Sequence, residues 1–198
     1  MSIQPESREI PSALLLRESL HQFGQTTALV SSNSMAPLLR QGDKIIIVDT
    51  QWVSLQTGDI VVMQAKQDLI AHRYWGSQQA NEEYLLITRG DRLASFDPLM
   101  PESFLVGRVA GRVRNQRAIS LSKAPGSTVN RLLLKLLRLE IKMIGQSMPN
   151  DAQLIPEQVE SNKSGQFERR IIHGLFFFLA RLLVLFIEPI GKAENDLN

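Results

Sequence analysis

The sequence predicts a mainly β domain flanked by helices, an α+β architecture overall. Between residues 26 and 121, short runs rich in β-branched and apolar residues recur, each bounded by Gly, Asp, Asn or Pro. No helical period separates these runs, which favours an antiparallel, partly closed sheet over alternating strands and helices. One helical pattern precedes the β region and two follow it. We therefore expect an N-terminal helix within 1–25, a β domain at 26–121, and a linker with a helical tail at 122–198.

The elements are predicted in chain order from their periodicity and end signals. The first helix covers 12–23, with Ser12 as N-cap and Gly24 as the residue that ends it. Strands are predicted at 44–48, 60–63, 69–74, 84–88 and 104–113, with a hairpin turn at 64–68. A linker at 125–127 leads to a helix at 129–144. Four cations of that helix are expected on one side: Arg131, Lys135, Arg138 and Lys142.

The last part of the tail combines a polar spacer with the most hydrophobic segment of the chain. Residues 146–165 are polar and contain proline, whereas residues 174–187 are almost entirely apolar and carry Arg181 in their middle. This apolar segment is shorter than the ~20 residues that a membrane-spanning helix needs. Two interpretations stay open: the tail helices pack together or on the β domain, or they contact an anionic membrane surface.

Composition excludes several classes of function. The chain has no cysteine, so disulfides, thiolate zinc sites and cysteine nucleophiles are ruled out. His21, His72 and His173 lack the spacing of metal ligands, and we expect neither a metal nor a cofactor. Residues 1–120 carry 12 Lys and Arg against 12 Asp and Glu, which argues against nucleic acid as a partner. Residues 1–9 are polar with two acids and do not form a signal peptide, so we expect a cytoplasmic or peripheral membrane protein.

One hydroxyl-rich stretch, residues 31–43, stands between two apolar runs. Its sequence is Ser-Ser-Asn-Ser-Met-Ala-Pro-Leu-Leu-Arg-Gln-Gly-Asp. Pro37 fixes its own φ and donates no hydrogen bond, and the pair at 42–43 is a turn signal that opens the next strand. This predicts a short serine-bearing loop held between strands, an arrangement that often presents a reactive hydroxyl. The composition alone also suits an ordinary turn.

The stretch Ser-x-Ser-Met-x-Pro, followed by Gly-Asp before a Val/Ile run, resembles the nucleophile motif of type I signal peptidases and related SOS-repressor peptidases. Four more motifs resemble that family in the same order. They are Gly58-Asp59-Ile60-Val61-Val62, Ala71-His72-Arg73, Ile87-Thr88-Arg89-Gly90-Asp91 followed by Asp97, and Val106-Gly107-Arg108-Val109. The resemblance spans residues 28–113 and implies a coiled mixed or antiparallel β-sheet.

The resemblance also implies roles for individual residues. Ser34 is the expected nucleophile, and His72 the expected general base, as in the histidine-using branch of the family found in the endoplasmic reticulum and archaea. Most bacterial members use a lysine, but here the nearest one, Lys66, lies six residues earlier in the predicted turn. An aspartate would orient the histidine. Both Asp91 and Asp97 are candidates for that role, with Asp97 preferred.

Two further residues of the nucleophile motif have implied roles. The hydroxyl of Ser32 and the backbone N–H of the nucleophile would stabilise the oxyanion, and Met35 would form the floor of a pocket for small side chains. The expected function is a serine endopeptidase that cleaves a leader, signal or precursor peptide. The alternative is a catalytically inactive module of the same fold that binds a peptide or a membrane.

Overall fold

The computed structural model describes residues 11–65, 68–80, 83–145, 163–185 and 192–193. Three helices lie among them: α1 (Pro11–Phe23), α2 (Gly126–Met143) and α3 (Lys163–Leu185). The strands are β1 (Gln25–Leu29), β2 (Lys44–Val48), β3 (Ile60–Ala65), β4 (Asp68–Ala80), β5 (Glu83–Arg89), β6 (Met100–Pro101), β7 (Leu105–Arg114), β8 (Arg117–Ser120) and β9 (Lys192–Ala193).

Helix α1 ends where the sequence predicts. Gly24 adopts a φ of +71°, which glycine reaches without steric cost, and its N–H donates to the Leu20 carbonyl at 2.7 Å. Ser12 is already helical, so its predicted role as N-cap is wrong. Ala13 and Leu20 are buried and anchor the helix on the sheet.

The strands form one curled sheet in the order β1-β2-β7-β3-β4-β5-β6, and β8 joins through β7. Every described pairing is antiparallel, as the sequence favours. Strand β7 is central because β2, β3 and β8 all pair with it. Register shifts interrupt three antiparallel pairings, β2 with β7, β3 with β7 and β4 with β5, and such irregularities increase the local twist of the sheet. The architecture is therefore mixed: an N-terminal helix, a curled antiparallel sheet and two C-terminal helices.

Helix α2 begins earlier than predicted, and the linker expected at 125–127 is wrong. Gly126 is the first helical residue and packs directly on β8: a Cβ built there would lie 2.1 Å from the Ser120 carbonyl oxygen. Side chains larger than hydrogen do not fit at this contact. The glycine that suggested a linker instead permits close approach of helix and strand.

Both tail helices contribute to the hydrophobic core of the sheet. One buried cluster joins side chains of β2, β3 and β7 with Val129 and Leu133 of α2 and with Ala180 and Val184 of α3. Helix α3 starts at Lys163, before the predicted 174, so the spacer predicted at 146–165 overlaps it at 163–165 and otherwise lies outside the described residues. Packing of the tail on the β domain, one of the two open interpretations, is thus observed for one face of each helix. In the described parts of the chain, no helix has the length and apolarity to cross a membrane.

Candidate active site

The turn that carries Ser34 is held in place by polar anchors at both ends. The side-chain carbonyl of Asn33 accepts a hydrogen bond from Gln41 N–H at 3.1 Å. At the other end, Asp43 accepts two hydrogen bonds of 2.7 Å from the guanidinium of Arg114. The apolar residues after Pro37 are buried beneath the turn. The serine is therefore presented by a rigid backbone, as its sequence predicts.

Three predicted residues meet in a continuous line of hydrogen bonds. Ser34 Oγ lies 3.0 Å from Nε2 of His72, and His72 Nδ1 lies 2.7 Å from Oδ2 of Asp97. The imidazole comes from β4 and is buried. With Nδ1–H donating to the carboxylate, Nε2 is left to accept the serine proton. An arrangement of this kind can serve as a nucleophile, a base and an orienting acid.

A second residue fixes the position of Asp97. The hydroxyl of Thr88, fully buried in β5, donates to Asp97 Oδ2 at 2.7 Å, and Asp97 N–H donates back to the Thr88 carbonyl at 2.9 Å. The sequence analysis assigned no role to Thr88. Its position within the last motif, nine residues before Asp97, is the only signal that pointed to it.

Asp91, the other candidate for orienting the histidine, has a different partner. Both of its carboxylate oxygens accept hydrogen bonds of 2.7 Å from Arg73, whose side chain is completely buried. Arg73 also donates to the Gly58 carbonyl at 2.8 Å and to Oδ1 of Asn130 in α2 at 2.6 Å. Both carboxylate oxygens of Asp91 are therefore bound to Arg73, which favours a structural role for Asp91 over the catalytic one considered. Sequence reasoning missed Arg73, although the His-Arg dipeptide contained it.

The two remaining predicted residues lie beside the nucleophile. Ser32 Oγ is 3.3 Å from Ser34 Oγ, and Met35 is buried, with its sulfur accepting a hydrogen bond from Asp91 N–H at 3.4 Å. A cleft of about 300 Å³ opens at this point. Its walls are mainly apolar and come from α1, from β1 to β4 and from the segment between β1 and β2 that carries Ser34. They include Leu16, Ala28, Val30, Leu39, Ile45, Val62, Leu69 and Ala71.

The loop after β5 connects this site to the tail. Arg92 N–H donates to the Ser34 carbonyl at 2.8 Å, and the Arg92 carbonyl lies 3.0 Å from Nε2 of His173 in α3. The other ring nitrogen of His173 donates to the buried carboxylate of Glu140 in α2. This hydrogen bond raises the pKa of His173 above its ordinary value, although burial acts in the opposite direction. Because both ring nitrogens face acceptors, the imidazolium suits this position.

Glu140 holds a second cation. Arg89 donates to it at 3.2 Å, and both side chains are almost completely buried. Burial lowers the pKa of Arg89, and the adjacent carboxylate opposes that shift. Glu140 thus joins α2 to β5 and to α3 in one buried ionic cluster. Among the described residues, no group of three or more His, Cys, Asp or Glu side chains is placed to hold a metal ion.

No family model matches the chain, and no curated protein matches it either.

Proposed function

We propose that this protein is a serine endopeptidase of the signal-peptidase type, which cleaves a leader, signal or precursor peptide. The observation that carries the proposal is the hydrogen-bonded line of Ser34, His72 and Asp97. A serine hydroxyl is a weak nucleophile until an adjacent base takes its proton, and this line supplies both the base and its orienting carboxylate. The curled antiparallel sheet and the order of the motifs along it are consistent with the resemblance.

The reaction proceeds in two steps, acylation of Ser34 and hydrolysis of the resulting ester. Ser34 Oγ attacks the carbonyl carbon of the scissile peptide bond, while His72 Nε2 takes the hydroxyl proton. The tetrahedral intermediate collapses, the C–N bond breaks, and His72 passes the proton to the leaving amine. Water then attacks the acyl carbon with His72 as base, the ester bond to Ser34 breaks, and the hydroxyl regains its proton.

Stabilisation of the oxyanion falls to donors on the nucleophile turn. Ser32 is the side-chain candidate, because its hydroxyl lies 3.3 Å from Ser34 Oγ and shares the mouth of the cleft. The backbone N–H of Ser34 is the second candidate. Donors placed before the reaction stabilise the developing negative charge without reorganisation.

The cleft supports an extended peptide as the substrate. Strand β4 pairs with β3 over residues 68–73 and with β5 only from residue 73 onward. No described strand pairs with the other edge of β4 over residues 68–72. This free edge ends at His72. A peptide added along this edge would form main-chain hydrogen bonds and place side chains in the apolar cleft. Met35 and the small Ala28 and Ala71 on the cleft wall favour small apolar side chains beside the cut.

The proposal is tested on a library of proteome-derived peptides, with new termini identified by mass spectrometry. Wild type is expected to create a recurring set of termini. Ser34→Ala and His72→Ala should abolish them while the circular dichroism spectrum stays unchanged. Ser95→Ala and His21→Ala are matched controls, because both residues are exposed and outside the site, and they should cleave like wild type.

Two results would count against catalysis. One is an absence of new termini with wild type although peptides are retained by the protein, which would favour the inactive binding module. The other is equal cleavage by wild type and the Ser34→Ala variant, which would mean that a different group acts as nucleophile or that a contaminating protease was present.

A further inference from the structure

Helix α3 is apolar on two opposite faces. Phe176, Ala180 and Val184 recur every four residues and are buried against the rest of the protein. On the other side, exposed apolar side chains recur at intervals of four and three residues, the spacing of a single helix face. This face consists of Ile171, Leu175, Phe178, Leu182 and Leu185, with Leu179 at its edge. An exposed apolar face of this extent, rimmed by polar residues, normally marks an interaction site.

Helix α2 continues the exposed apolar surface. Leu132, Leu139 and Met143 are exposed and lie on one side of the helix. Leu136 lies between this stripe and the flank of α2 that packs with α3 in the core cluster. We call the exposed apolar residues of both helices, taken together, the tail face.

The described charges around the tail face have a single sign. The exposed ionic side chains described on α2 and α3 are all cationic: Arg131, Lys135, Arg138, Lys142, Arg170 and Arg181. The one acid among these described side chains, Glu140, is 1% exposed and is already bound to Arg89 and His173. Among the described side chains, the apolar stripe is bordered by cations. This pattern matches a surface that is apolar in its interior and anionic at its boundary.

We propose that the tail face docks on the surface of an anionic lipid bilayer, with α3 lying in the plane of the interface. The apolar side chains enter the boundary of the acyl chains, and the bordering cations contact lipid headgroups. A second copy of this chain fits the face less well, because its cations would meet the same cations. The helix stays at the interface, in keeping with the finding that no helix of the described residues has the length and apolarity to span a membrane.

Docking on this face would bring the loop after β5, which contacts Ser34, close to the bilayer. Arg92 lies over the ring of Phe177 at 5.2 Å, on a flank of α3 that turns toward the domain. The same loop contacts Ser34 through the Arg92 N–H. One helix, about 10 Å across, therefore separates the lipid from the loop behind the nucleophile. The inference does not depend on catalysis and applies equally to a binding module.

Sedimentation of the full chain with sucrose-loaded vesicles tests the proposal. We expect binding to vesicles that contain phosphatidylglycerol, much weaker binding to phosphatidylcholine alone, and a decrease with added salt. The double variant Phe178→Ser/Leu182→Ser should lose binding to both kinds of vesicle. Since each cation near the surface contributes about fivefold in partitioning, Lys135→Glu/Arg138→Glu should reduce binding to anionic vesicles more than tenfold. Val53→Ser, an exposed apolar change on another segment, serves as the matched control and should bind like wild type.

A tryptophan at the centre of the face gives an independent readout. In Phe178→Trp, emission should shift to the blue on adding anionic vesicles and should be quenched by brominated lipid, relative to the wild-type background of Trp52 and Trp75. Three results would overturn the proposal. They are no binding to any vesicle, an emission already blue-shifted in the free monomer and unaffected by vesicles, and a stable dimer that Phe178→Ser dissociates. A blue-shifted emission in the free monomer would mean that another part of the chain covers the tail face. A dimer that Phe178→Ser dissociates would mean that a second copy covers it.

Discussion

Arg73 donates to both carboxylate oxygens of Asp91, while its neighbour on the same strand, His72, is hydrogen-bonded to Asp97. Successive side chains of a strand point to opposite faces. The His-Arg dipeptide therefore sends one side chain toward Ser34 and the other into the interior. Two aspartates that lie six residues apart in sequence are thereby given two different tasks.

Replacing Asp97 by Asn tests its role as the orienting group. The amide lacks the negative charge that stabilises the protonated histidine, and it favours the wrong tautomer of His72. We expect kcat to fall by a factor on the order of 10⁴ with little change in the melting temperature. Steady-state kinetics on a cleaved library peptide measure the effect, and Asp49→Asn, a change at an exposed aspartate, is the control. An activity near that of wild type would exclude Asp97 from the mechanism.

Replacing Asp91 by Ala should act on stability instead. The substitution leaves the buried guanidinium of Arg73 without its carboxylate, and the uncompensated charge costs about 3–5 kcal/mol in the free energy of unfolding. Urea denaturation measures this quantity, and Asp49→Ala is the exposed control. The structural role assigned to Asp91 would be wrong if the variant were as stable as wild type but inactive.

His173 should make the stability of the protein dependent on pH. Its pKa is raised in the folded state, chiefly by the hydrogen bond to Glu140, so the folded protein binds the proton more tightly than the unfolded chain. The stabilisation is fully present below the ordinary histidine pKa of about 6.5 and is lost as the pH rises through the raised value. Glu140, Arg89 and Arg92 are the charged groups that face or adjoin this position.

The measurement is the difference in unfolding free energy between wild type and His173→Gln, followed by urea denaturation at a series of pH values. We expect the difference to reach about 1.5–3 kcal/mol on the acidic side, the usual range for a hydrogen bond to a charged group, and to shrink on the alkaline side. His21→Gln, a change at a histidine exposed on α1, is the control. A difference that stays constant with pH would mean that His173 is held there as the neutral form.

Gly126 and Gly174 should respond in opposite directions to substitution by Ala. At Gly126 the new methyl group would meet the backbone of Ser120, and the resulting overpacking should cost about 1–3 kcal/mol. At Gly174 a Cβ meets nothing within 4 Å, so alanine should stabilise α3 by about 0.5–1 kcal/mol. Thermal unfolding of both variants compares them directly. Equal effects would show that α2 does not pack on β8 as described.

The sequence predicted best where one local signal dominates. Strand β2 has the bounds expected from its run of isoleucine and valine, and Gly24 ends α1 as its conformational freedom suggests. The short β6 and β9 carry too few residues to show a period. The linker predicted around Gly126 is wrong, because a glycine required for tight packing cannot be distinguished by sequence from a glycine in a linker. Asp91 and Asp97 bind different partners because Arg73 and His72 lie on opposite faces of β4. Which aspartate reaches which face depends on the tertiary structure.

Asn130 gives the C-terminal part of the chain a significance that its position would not suggest. Its side chain accepts from Arg73 and donates to the Gly58 carbonyl at 3.1 Å, so α2 contributes directly to the buried network next to His72. The tail is consequently not an interchangeable module. A chimera that grafted a foreign tail after β8 would have to carry an amide at position 130, or Arg73 would lose a hydrogen-bond partner. The chain beyond residue 122 and the motifs before it therefore constrain each other's substitutions.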